Sequence, residues 1–192
     1  MLSLRVGIEL MLVSGKPLAP PSLFSALSEK VIRSLFTTLL RRFIYQNNNS
    51  ALSYSDFVVS AITELLKVRS VVECPFPPVV VNPLSVSVQS DGKKRLILDL
   101  RHVNFFVKKC KIKFQDAKSF LQSLLARPTA WACSFDIKSG YHHIEIFESD
   151  QEFLGFSWVL EGVTKSFKFT VLPFGLSVGP YIFSKVMRPI VR

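Results

Sequence analysis

Acidic residues are scarce in this chain of 192 residues, with 14 Asp and Glu against 24 Lys and Arg, for a net charge of +10. Cysteine is scarcer. Cys74, Cys110 and Cys133 are odd in number and show no paired spacing. That argues against a disulfide framework or a zinc site and favours free thiols in a reducing compartment. No apolar run approaches the roughly 18–20 residues of a membrane-spanning helix, so no membrane partner is expected. The first fifteen residues carry Arg5 and Glu9 and show no clear small-residue cleavage site, so a secretory signal is not expected. The expected setting is cytoplasmic or nuclear, not secreted. No internal repeat recurs. A hydrophobic content of 48% argues against a disordered tail, and the length suits one domain or two small ones.

The basic excess is concentrated. Between Gly92 and Lys113 stand eight Lys or Arg (93, 94, 95, 101, 108, 109, 111 and 113) against one acid, Asp99. Such a stripe suits a polyanion, nucleic acid first; the alternative is a solvated face that keeps the protein soluble.

Residues 1–21 show no period and end in Lys-Pro-Leu-Ala-Pro-Pro, a leader or linker. Helical spacing of apolar residues predicts a helix over 22–45, broken by Gln46-Asn-Asn-Asn-Ser50. Ser55 is placed to cap a second helix with Phe57, Val58, Ala61, Ile62, Leu65 and Leu66 on its buried stripe. A short strand at Val71-Val72 leads into the extended Cys74-Pro-Phe-Pro-Pro. Leu84–Val88 and Lys94–Arg101 read as strands joined through the hairpin signal Asp91-Gly92. In the second, Arg95, Ile97, Asp99 and Arg101 face one way: either a surface ion-pair row or an arginine preset for phosphate. An amphipathic helix is predicted over 115–126, a helical turn over 149–152, and a hairpin of 153–159 with 166–171 around Glu161-Gly162. Phe167, Phe169 and Val171 form its core face. A final helix is predicted from Pro180 to Val191.

Trp131, Cys133 and Phe135 alternate with Ala132, Ser134 and Asp136, the period-2 pattern of a half-buried strand that ends in a carboxylate. Gly140 and Tyr141 follow, a backbone that permits close approach and then an aromatic plate. A carboxylate at a strand end, with amides and a flat ring nearby, suits a metal-bound phosphate and a wedged sugar. It equally suits a surface aspartate closing a core strand. His142 and His143 fall on opposite faces by strand alternation and have no zinc spacing to any Cys or acid, so packing or a template-facing role is expected.

Four blocks in order resemble the reverse transcriptase of retroelements. They are Arg95-Leu-Ile-Leu-Asp-Leu-Arg-His-Val-Asn104, Phe135-Asp-Ile-Lys-Ser-Gly-Tyr-His-His-Ile144, Phe153-Leu-Gly-Phe-Ser-Trp158, and Leu172-Pro-Phe-Gly-Leu-Ser-Val-Gly-Pro-Tyr-Ile-Phe183. The likeness runs first to tyrosine-recombinase retrotransposons (the DIRS group), then to gypsy-like elements. It implies an RNA-directed DNA polymerase with an α+β right-hand fold. A leader (1–21) and helical segment (22–70) would precede the fingers (71–130) and part of the palm (131–192). It implies two divalent ions, Mg²⁺ or Mn²⁺, about 3.5–4 Å apart, with Asp136 shared between them and the Ile137 carbonyl a further ligand. Ser139 and Gly140 amides would face the triphosphate, Arg95 with Lys93 and Lys94 would neutralise it, and Tyr141 would pack under the sugar and exclude a 2′-hydroxyl. Phe174 and Gly175 would line the nucleotide pocket and touch the template base. Arg101, Lys108, Lys109, Lys111 and Lys113 would grip nucleic acid. The implied partners are an RNA or DNA template-primer, deoxynucleoside triphosphates, and the remaining palm, thumb and RNase H segments of a polyprotein.

Two departures stand out. Gln89-Ser90 occupy the place of the lysines common before the fingers turn. No Asp-Asp occurs in the chain, so the family's Tyr-x-Asp-Asp hairpin, source of the second metal carboxylate, is expected past the helix at 180–191. The chain thus reads as a fragment ending before that motif. The alternative is a catalytically dead, nucleic-acid-binding remnant.

Overall fold

The computed structural model of the protein describes residues 41–107, 109–112, 118, 121–122, 125–126, 137 and 139–191. The predicted strand ending at Asp136, most of the predicted helix at 115–126, and residues 1–40 lie outside them.

The fold grows from one hairpin. Strands β6 (Gly155–Leu160) and β7 (Val163–Phe169) pair antiparallel from Gly155↔Lys168 to Leu160↔Val163. Glu161 and Gly162 join them with φ of 53° and 78°, the double positive-φ turn whose twist matches the flanking strands. Alternation then places Phe156 opposite Phe167, both fully buried, with rings stacked 5.2 Å apart. Strand β2 (Val71–Cys74) adds antiparallel along β7, Val71 opposite Phe169. On the other side, β3 (Val80–Val81) runs parallel to β6 through Val81↔Gly155, and β1 (Phe43–Ile44) runs parallel to β3. The sheet order is β1-β3-β6-β7-β2.

Strand β1 corrects the end of the helix predicted over 22–45. Phe43 and Tyr45 donate backbone N–H bonds to the Val79 and Val81 carbonyls at 3.0 and 2.9 Å, so a ladder partner far along the chain overrides the local spacing. The Asn-rich run that follows does more than break a helix. Asn47 donates to the Ser157 carbonyl at 2.9 Å and accepts from Leu84 N at 2.8 Å, tying the sheet to β4 (Leu84–Val88). Asn48 donates to Ser85 Oγ at 2.6 Å. Ser50 sits in a short helix, α1 (Asn49–Ser53), and its hydroxyl accepts from Val86 N.

Helix α2 (Ser55–Lys67) has the expected stripe: Val58 and Ile62 are fully buried, with Phe57, Leu65 and Leu66 against the same core. Ser55 opens this helix without a side-chain cap, and Tyr54 holds the cap position. Strand β5 (Lys94–Leu98) pairs with β4, Leu84 opposite Leu98, and Gly92 turns the hairpin at φ 79°. It ends earlier than expected. Arg101 opens a helical turn, α3 (Arg101–Asn104), because Asp99 Oδ1 accepts the Arg101 N–H at 3.2 Å. Helix α4 (Glu148–Gln151) and helix α5 (Gly179–Val191) complete the described elements, α5 burying Ile182 and Val186 four residues apart. Among the described residues no helix is long and apolar enough to cross a membrane.

Candidate functional site

Residues 140–143 do not form a strand. They make a 3-10 turn (Gly140–His143) entered through Ser139 at φ 54°, ψ 38°. The left-handed conformation is uncommon for serine and costs on the order of 1 kcal/mol or more. It folds the chain back so that Gly140 N–H bonds the Ile137 carbonyl at 3.2 Å and His142 N–H bonds the Ser139 carbonyl at 2.8 Å. The two histidines therefore sit on consecutive positions of a turn, not on opposite strand faces. His142 lies 5.5 Å from the Phe174 ring and 6.3 Å from Phe169. Burial, then the neighbouring His143, lowers its pKa below the usual histidine value.

The turn forms one wall of a cavity of about 400 Å³ lined by Ile137, Ser139, Gly140, Tyr141, Phe174, Phe183 and Met187. The structure thus brings together five residues expected from the sequence, Ile137, Ser139, Gly140, Tyr141 and Phe174. It adds Phe183 and Met187 from α5, which read in the sequence only as a helix stripe. Tyr141 is stacked on Phe174, centroids 5.0 Å apart at 16°, and tilted against Phe183 at 5.3 Å. Burial raises the Tyr141 phenol above its ordinary pKa, so it is a neutral hydroxyl. Phe174 is half exposed at 51%.

A residue without an assigned role fixes the Phe174 loop. Asn104 on α3 donates to the Gly175 carbonyl at 2.9 Å and accepts from Ser177 N at 2.8 Å. Gly175 has φ 104°, and a Cβ there would sit 2.9 Å from the Leu98 carbonyl, so the loop is pressed onto the end of β5. Asn104→Ala removes both bonds and leaves a carbonyl and an N–H without that partner. It is expected to cost about 1–2 kcal/mol and to speed amide exchange within 172–177 by roughly tenfold or more. Unchanged exchange in this loop would remove Asn104 from that role.

The described cationic residues, Lys93, Lys94, Arg95, Arg101, Lys109 and Lys111, are not among those lining the cavity. Lys93 pairs with Asp91 at 3.1 Å, and Lys94 Nζ sits 4.7 Å from the centre of the Tyr54 ring, a cation–π contact. Arg95, opposite Ser87 in the β4–β5 hairpin, is exposed, and strand alternation turns it away from Lys94. Arg101 binds Asp99 at 2.6 Å, and this bond holds the Asp99 carboxyl below its ordinary value. Lys109 and Lys111 are exposed. Asp136, Lys108 and Lys113 fall outside the described residues.

A metal needs more than the described residues of the cavity wall supply. Among the described residues no group of three or more His, Cys, Asp or Glu is placed to share an ion. Among the described residues, those lining the cavity offer the Ile137 carbonyl, already accepting from Gly140 N–H, and no carboxylate. A magnesium ion, which needs near-octahedral oxygen ligands, is not held by these residues alone.

The model of the family described as "Reverse transcriptase (RNA-dependent DNA polymerase)" matches residues 87–192, more than half of the chain. The chain belongs to the reverse transcriptase family. The chain is 33% identical over 111 residues to the retrovirus-related Pol polyprotein from transposon 412 of Drosophila melanogaster, covering 57% of this chain and 8% of that protein. It is 30% identical over 142 residues to the Pol polyprotein from transposon gypsy of the same organism, covering 72% of this chain and 13% of that protein. The expected gypsy-like kinship is thereby found. Among solved structures, the foamy viral protease-reverse transcriptase in complex with dsDNA aligns with a TM-score of 0.57 at 24% identity, over 80% of this chain and 30% of that one. That likeness carries the fold, the mixed α/β polymerase architecture expected from the sequence.

Proposed function

We propose that this chain is the fingers and first palm portion of an RNA-directed DNA polymerase, with 71–130 as fingers and 131–192 as partial palm. In the complete protein it would add deoxynucleotides to a primer 3′ end on an RNA or DNA template. One observation carries the reading: the 3-10 turn at 140–143 and the Phe174 loop close on one cavity, with Tyr141 stacked on Phe174 in its wall. A neutral ring braced by another ring is a rigid steric stop, suited to rejecting a sugar with one extra hydroxyl.

Asp136, immediately before Ile137, is the proposed metal carboxylate, for two Mg²⁺ or Mn²⁺ ions. When bound, these ions would lower the pKa of the attacking hydroxyl and stabilise the leaving pyrophosphate. The second carboxylate motif, Tyr-x-Asp-Asp, is proposed to lie past Arg192; the far greater length of the polyprotein relatives supports this. Kinship with the DIRS group stays part of the proposal and rests on the four sequence blocks. Arg95 is the proposed phosphate contact. Arg101, Lys108, Lys109, Lys111 and Lys113 are the proposed template-primer grip.

Tyr141→Ala tests the site in the complete polymerase. Removing the ring is expected to raise ribonucleotide incorporation relative to deoxynucleotide by about a hundredfold, read as the ratio of kcat/KM in single-nucleotide primer extension. An unchanged ratio would sink the assignment.

A second reading, nucleic-acid binding without catalysis, draws on the exposed cations Arg101, Lys109 and Lys111. It requires affinity that falls steeply with salt and is indifferent to Mg²⁺ in a protein that never extends a primer.

A further inference from the structure

Gly179, the first residue of α5, is buried and is not part of the cavity wall. It stands behind a residue that is. A Cβ on Gly179 would lie 3.1 Å from Tyr141 Cε2, with Cδ2 and Cζ at 3.7 and 3.8 Å. Two further aromatic rings bound the Tyr141 ring. Phe174 stacks on it at 5.0 Å and Phe183 leans on it at 5.3 Å. Phe183 cannot retreat toward the turn, because its ring already lies against Gly140, where a Cβ would meet Cε2 at 2.9 Å.

The backbone does not call for glycine at position 179. The glycines at positive φ are Gly92, Gly162 and Gly175 among the described residues, and at a helical position alanine is the better former. What the missing side chain supplies is room for the Tyr141 ring.

We propose that Gly179 is a positioning residue for sugar selection, its bare Cα setting how far the Tyr141 ring stands into the cavity. The inference rests on the reading of Tyr141 as the sugar-selecting ring. A methyl group at Gly179 pushes the ring edge by a few tenths of an ångström, and among its described neighbours the ring has room on the cavity side. Close packing passes such a shift on rather than absorbing it. The space beside the sugar then narrows, which penalises a 2′-hydroxyl more than a hydrogen.

The test is single-nucleotide incorporation by the complete polymerase, with a deoxynucleoside triphosphate and its ribonucleotide counterpart. Wild type, Gly179→Ala, Tyr141→Ala and the double variant are compared. The measured quantity is the ratio of the two kcat/KM values, which does not depend on the fraction of enzyme that is folded. Gly179→Ala is expected to lower ribonucleotide use relative to deoxynucleotide about tenfold and to raise the deoxynucleotide KM more than it changes kcat. In the Tyr141→Ala background the same methyl has no ring to push, so it should leave the ratio unmoved. The double variant also gives the methyl space, so a folded comparison exists even if Gly179→Ala alone is unstable. If Tyr141→Ala moves the ratio and Gly179→Ala does not, the positioning role is overturned. An equal Gly179→Ala effect with and without the ring overturns it too. If Tyr141→Ala itself leaves the ratio unchanged, the sugar-selecting reading falls first and takes Gly179 with it.

Discussion

Asp136→Asn is expected to lower primer extension by the complete polymerase by at least about 10³-fold, while template-primer affinity changes by no more than about threefold. From Trp131 to Ile144 the chain holds one acid, Asp136, and it immediately precedes the Ile137 that lines the cavity. Asparagine keeps the shape and removes the charge, so the change isolates electrostatics from packing. Among the described residues, those lining the cavity include no carboxylate that could substitute. Nucleic-acid affinity is proposed to draw on a separate set of groups, Lys108 and Lys113 with the exposed Arg101, Lys109 and Lys111, whose phosphate contacts would set the salt dependence. Extension and binding should therefore part company in this variant. Extension near the wild-type rate would show that the catalytic carboxylate lies elsewhere. A joint loss of extension and binding would point to a folding defect, distinguishable by the melting profile.

The elements legible in the sequence are those whose partners are local. The β6–β7 hairpin shows itself through Phe167 and Phe169 alternating about Glu161-Gly162, and β4–β5 through Asp91-Gly92; in both the turn and the strands lie within one short window. Strands β1 and β3 are illegible for the opposite reason. Each is two residues long, and their pairings join Phe43 to Val80 and Val81 to Gly155, so no local period marks them. Phe43 and Ile44 also fit the helical stripe that precedes them, and spacing alone prefers that fit. The Asn47 and Asn48 side chains bond β4 and β6, and a polar run cannot show which distant backbone it satisfies.

The site divides in the same way. Ser139, Gly140, Tyr141 and Phe174 carry the family pattern and do meet in one cavity wall. Asn104 belongs to one of the four blocks, yet its function as a clamp on Gly175 and Ser177 needs the two segments side by side. Gly179 and Phe183 offer a faint signal, a glycine and an aromatic one helical turn apart facing another glycine-aromatic pair at 140–141. Only packing reveals that each glycine makes room for the other segment's ring.

Gly155→Ala is expected to destabilise the fold by about 3 kcal/mol, measured as a lower urea midpoint at unchanged slope. Gly155 begins β6 and is buried: a Cβ there would stand 2.6 Å from both Cβ and Cγ of Pro78 and 2.7 Å from the Val80 carbonyl oxygen. Neither neighbour yields cheaply. Proline is a rigid ring with a fixed φ, and the Val80 carbonyl belongs to a sheet strand. Relief by moving β6 is also closed, because the Gly155 carbonyl accepts from Asn82 N at 2.8 Å and Asn82 Nδ2 at 2.9 Å. The methyl must then part β6 from β3, at the point where the parallel half of the sheet joins the antiparallel half. Gly92→Ala supplies the contrast. Gly92 sits at φ 79°, and a Cβ added to it would meet nothing within 4 Å, so alanine there costs only the left-handed backbone, about 1–2 kcal/mol. A Gly155→Ala loss no larger than that of Gly92→Ala would mean that the Pro78 segment gives way, and that the prolines after Cys74 pack less rigidly against the sheet than their geometry requires.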